Sequence, residues 1–217
     1  MSREDFTKQH RAVGRAAAWV YITLSLVYAA TTILGLLSLK SPDDPIGDPY
    51  FTIMELLIVL IAPVLVVLMV TVHAYASRER KVCGLAALTF MILLAGVTSS
   101  VHFVILTVRS TLEATGMPGS SLFLSFQWPS VAYALDILAW DVFFALSMLF
   151  GACVFHQGRL EKTLRNLMIA SGVLSLLGLI GVPLADMTIR NIGVIGYALV
   201  APVAVLVLAV VYGRRTV

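Results

Sequence analysis

Residues 51–75 read FTIMELLIVLIAPVLVVLMVTVHAY, a run that contains one acidic residue, Glu55, and no lysine or arginine. At about 1.5 Å of rise per residue, a helix of this length covers the ~30 Å hydrocarbon core of a bilayer. The apolar residues of the run continue without alternating with polar ones. A strand of a membrane barrel would be about ten residues long, with every second residue polar. The stretch is therefore a membrane-spanning helix, and it sets the fold class for the rest of the chain.

Working outward from it, five further stretches meet the same requirement: residues 15–39, 82–107, 129–155, 164–185 and 191–212. The composition agrees. The chain is 59% apolar and 12% charged, whereas soluble domains carry about 25% charged residues. A water-soluble fold of this size would have to hide more surface than its surface-to-volume ratio allows. The expected architecture is all-α, a polytopic bundle of six transmembrane helices forming one domain over residues 1–217. Pro63, Pro183 and Pro202 fall within spans, where neighbouring helices re-satisfy the freed carbonyls. The basic start resembles a signal peptide, but the apolar run after it exceeds the usual 7–15 residues and no small-x-small site ends it. It reads as a retained helix.

Orientation follows from the basic residues. Arg3, Lys8, Arg11 and Arg15 precede the first span. Arg78, Arg80 and Lys81 lie between the second and third, and Arg159, Lys162 and Arg165 between the fourth and fifth. Arg214 and Arg215 follow the sixth. The opposite side has only Lys40, Arg109 and Arg190. Both termini are thus expected in the cytoplasm, with the chain in the cytoplasmic (inner) membrane. The acidic turn holding Asp43, Asp44 and Asp48 falls outside and reads as solvated.

No soluble module fits between the spans, and no Walker, Rossmann or kinase pattern occurs. No cofactor is implied. The basic loops are explained by topology and by anionic lipid, so no nucleic-acid partner is needed. The longest connection runs from Arg109 to Trp128. It starts polar, with Gly116, Pro118 and Gly119, and ends apolar with LFLSFQW at 122–128. Such a segment lies in the interface, either as a loop among the headgroups or as a cap on the bundle.

Ionisable groups inside lipid are costly and mark functional sites by default. Glu55, His102, Asp136 and Asp141 are the four that stand out. Glu55, His102 and Asp136 are each expected about one or two helical turns from the outer end of their spans, so they share a depth. Asp141 lies deeper, and it is about 140° around the helix from Asp136. Thr98 and Ser99 share a face with His102, and Tyr133 and Trp140 share one with Asp136. Together these residues describe an outer-half polar pocket suited to a proton or a small ligand. A second constellation lies at the other end of the bundle: His73, Cys83, Cys153 and His156, the residue types of a two-Cys, two-His metal site.

The functional expectation is a small transporter or sensor, with the bilayer and a proton or small ligand as partners. Two alternatives remain open: an intramembrane metal-assisted hydrolase, which no local motif such as His-Glu-x-x-His supports, and a structural or accessory subunit. Gly172, Gly178 and Gly181 suit either close helix packing or a homo-oligomeric contact, as do Gly196 and Ala201.

Overall fold

The computed structural model describes residues 6–41, 44–115 and 119–214. Arg3, Asp43, Gly116, Pro118 and Arg215, used above for orientation and for the outer turns, lie outside the described residues. Six helices are long and apolar enough to span a membrane: α1 (Lys8–Leu37), α2 (Tyr50–Tyr75), α3 (Lys81–Ala114), α4 (Val131–Ala152), α5 (Gly158–Gly181) and α6 (Met187–Gly213). Among the described residues there is no strand.

The helix ends differ from the sequence-predicted ones where a cap extends the helix. Thr7 accepts from His10 N in a capping box, so α1 begins at Lys8 rather than near Arg15. Asp186 accepts from the N–H groups of Thr188 and Ile189, so α6 begins at Met187 rather than at Asn191. That second extension places Arg190 inside the first turn of α6.

The helices form a sequential ring. α2 packs between α1 and α3, α4 between α3 and α5, and α6 closes the ring by packing on both α5 and α1. The axis is apolar in the half nearer the termini. Leu65, Met69, Phe144, Met148, Met168 and Val205 surround a small cavity there. Leu26, Leu37, Leu60 and Leu199 are each more than half exposed on the outer surface, as a lipid-facing ring requires.

Lipid provides no hydrophobic force between helices, so close backbone approach must hold the bundle together. The α5 glycines serve this. A methyl group on Gly172 would meet the Ala145 carbonyl of α4 at 2.8 Å, and one on Gly178 would meet the Arg190 carbonyl of α6 at 2.8 Å. Ser171 Oγ donates to the Gly196 carbonyl at 2.9 Å across the same seam. The small-residue face of α5 is thus occupied by intrachain packing.

Two π-helical turns interrupt the spans, Leu138–Phe143 in α4 and Ile195–Val200 in α6. In α6 the reason is local: Pro202 has no N–H to close an α-turn, and Ala201 N bonds back to Gly196 O. The turns face each other, with the rings of Trp140 and Tyr197 5.1 Å apart. At the end bearing the termini, Glu161 is a buried carboxylate that composition alone does not flag. Tyr75 Oη donates to its Oε1 at 2.7 Å, and the N–H groups of His156 and Gln157 donate to Oε2 at 3.1 and 2.9 Å. It ties α2 to the start of α5.

Candidate functional site

Antiparallel neighbours bring residues at equal depth side by side. α2 supplies Glu55, α3 supplies His102 and α4 supplies Asp136. His102 Nδ1 lies 2.8 Å from Glu55 Oε2, and His102 Nε2 lies 3.4 Å from Asp136 Oδ1. The imidazole is held between two carboxylates, one at each ring nitrogen. The side chains of Glu55 and His102 are 5% and 6% exposed and that of Asp136 is 15% exposed. Asp136 is therefore the most accessible of the three.

Hydrogen-bond counting defines what this arrangement holds. A neutral imidazole has one N–H donor and one acceptor, and an ionised carboxylate only accepts. Both contacts are satisfied only when the three groups together carry one proton more than a neutral imidazole and two carboxylates. That proton sits on the ring or on one of the acids.

Around this triad, Trp140 Nε1 donates to Thr98 Oγ1 at 3.0 Å, and Thr98 Oγ1 donates to Asp136 Oδ1 at 3.5 Å. Thr98 supplies the hydroxyl in this chain. Ser99, named with it from the sequence, sits one residue further round α3 and is half-buried. The apolar end of the 109–128 connection caps the triad. The Phe126 ring lies 5.0 Å from the His102 ring and 6.4 Å from that of Phe51. Ser130 Oγ bonds the Ser125 carbonyl and accepts from Tyr133 N, fixing the entry of α4.

Asp141 points elsewhere. Its Oδ2 accepts from Arg190 Nε at 3.1 Å, with side-chain exposures of 0% and 5%. Gly193 permits this approach, because a methyl group there would overlap Asp141 Oδ1. The guanidinium carbon lies 5.2 Å from the Tyr133 ring centre and 5.8 Å from that of Tyr197. Asp141 Oδ1 and Arg190 Nη2 are buried without a hydrogen-bond partner among the described residues. Asp136 is within electrostatic range of both, so the triad and the ion pair form one charged layer.

Arg190 corrects the sequence reading, which placed it among the outer topogenic charges. The Asp186 cap draws it into α6, and the burial of Asp141 demands a cation. The Asp136–Asp141 offset is resolved by two different partners: Asp136 faces α3 and Asp141 faces α6.

The four residues expected as a metal site do not assemble. His73 packs against Gly84, and His156 Nδ1 turns to the Val154 carbonyl at 3.3 Å. Cys83 and Cys153 interact electrostatically. Among the described residues, no three His, Cys, Asp or Glu side chains are gathered as metal ligands. No protein family, curated protein or solved structure matches the chain.

Proposed function

We propose that this chain is a small multi-pass transporter or sensor of the cytoplasmic membrane, with both termini cytoplasmic, that binds a proton or a small ligand in its outer half. The observation that carries the reading is His102 held between Glu55 and Asp136, because satisfying both contacts requires a bound proton. The Asp141–Arg190 pair would hold the neighbouring helix faces at fixed charge while the triad changes state. The basic residues clustered in the terminal segments and alternate loops support the orientation. With a carboxylate at each ring nitrogen, His102 presents no free nitrogen to a metal. That favours proton or ligand binding over metal-assisted hydrolysis.

Infrared difference spectroscopy on the purified protein, between about pH 5 and pH 10, tests this reading directly. The wild type should show an imidazole or carboxyl protonation signal that is displaced in Asp136→Asn, while size-exclusion and circular dichroism profiles stay unchanged. Identical difference spectra from the wild type and a folded Asp136→Asn variant would reject it.

A further inference from the structure

The two cysteines lie at the end of the bundle that carries the termini, far from the triad. Cys83 is in the first turn of α3, and Cys153 is the residue on which α4 ends. They are the only cysteines in the chain, and both are free thiols. One turn along α3 from Cys83, Ala87 accepts from Ser147 Oγ of α4 at 2.7 Å and lies beside Gly151, two residues before Cys153, so the two thiols face one seam and interact electrostatically across it. An independent contact holds the two segments together: Arg80 Nη1 donates to the Cys153 carbonyl at 2.5 Å, three residues before Cys83. Cys153 is exposed and Cys83 is half-buried.

We infer that Cys83 and Cys153 form an oxidisable dithiol that closes to a disulfide between α3 and α4 when the protein meets a hydroperoxide. A disulfide requires two sulfurs brought together from neighbouring segments. The α3–α4 seam places these two on adjacent turns, and the Cys153 thiol, which reaches only the Leu149 carbonyl of its own helix at 3.6 Å, has to turn about its Cα–Cβ bond to meet Cys83. The difference in exposure orders the steps. The exposed Cys153 thiol attacks the peroxide O–O bond and becomes a sulfenic acid, releasing water (from hydrogen peroxide) or the corresponding alcohol. The Cys83 sulfur then attacks the sulfenic sulfur, the S–S bond forms, and a second water leaves with the Cys83 proton. Two thiols are oxidised by two electrons and one peroxide is reduced. The bond would staple the inner ends of the two helices whose outer ends carry His102 and Asp136. The inference does not depend on what the triad binds.

The test treats the full-length wild type in detergent with one equivalent of hydrogen peroxide, followed by a non-reducing peptide map. The expected product is an intramolecular Cys83–Cys153 cross-link in a monomer, with both free thiols lost and restored by a reductant. In Cys83→Ser, Cys153 should instead proceed to sulfinic and sulfonic acids, with over-oxidation at least tenfold greater than in the wild type. Over-oxidised Cys153 beside a free Cys83 in the wild type would overturn the proposal. So would an intermolecular Cys153–Cys153 dimer as the main product, or thiols that survive the treatment.

Discussion

Arg190→Met is expected to destabilise the bundle by about 3–5 kcal/mol, because it leaves a carboxylate buried with no cation. Asp141 is completely enclosed, Arg190 Nε is its one hydrogen-bond donor among the described residues, and one of its oxygens already lacks a partner. The variant should lose much of its thermal stability in detergent, read as the loss of a monodisperse size-exclusion peak on heating. The double variant Asp141→Leu/Arg190→Met should recover most of the loss. Replacing a whole buried pair by apolar groups is often neutral, whereas breaking one is not. If the single variant is as stable as the wild type, the ion pair contributes little and Asp141 is accommodated some other way.

His102→Ala is expected to have the largest effect on proton binding with a smaller effect on the fold. Removing the imidazole leaves Glu55 and Asp136 on either side of a gap with nothing cationic between them. The gap is on the scale of the ring that spans the 2.8 and 3.4 Å contacts. Two buried carboxylates left at this separation with no cation between them resist ionising together, so at least one stays protonated. The variant should therefore retain a protonated carboxyl band across the range in which the wild-type signal changes, and the pH-dependent difference should fall to a small fraction of the wild-type amplitude. Trp140 offers a second readout, since its indole reaches Asp136 through Thr98. A pH-dependent change in its fluorescence should disappear in the same variant. If the variant keeps a wild-type difference spectrum, the proton resides outside the triad.

The number of spans was legible in the sequence because lipid leaves a chain few options. Runs such as 51–75 can cross a bilayer only as helices with all backbone bonds internal. The co-location of Glu55, His102 and Asp136 was legible for a similar reason: antiparallel spans of equal length align residues by depth, so counting from the outer end was enough. What depth cannot show is azimuth. Ser99 and Thr98 are adjacent and equally deep, and only the packing of α4 on α3 selects Thr98. Arg190 falls outside the bundle when the sixth span is started at residue 191, which passes over a local signal, Asp186 standing where a helix N-cap would stand. That signal was present and would have moved the residue into the bundle. The π-helical turns had partial warning in Pro202 and none in α4, where Trp140 and Asp141 face different neighbours. The two-Cys, two-His expectation failed because nearness to one end of the bundle does not fix side-chain direction. His156 Nδ1 turns to the Val154 carbonyl and Cys153 Sγ to the Leu149 carbonyl of its own helix.

The central claim is that His102 shares a proton with two carboxylates, and the ring nitrogens report on this most directly. The chain has four histidines, so protein labelled with ¹⁵N only at histidine gives a spectrum that a His102→Gln variant assigns. The account predicts that both His102 ring nitrogens carry hydrogen-bonded protons in the charged state. Their resonances should move together across a titration from about pH 5 to pH 10, and Asp136→Asn should displace the Nε2 resonance. A His102 fixed as one neutral tautomer throughout that range, with resonances unchanged by Asp136→Asn, would contradict it.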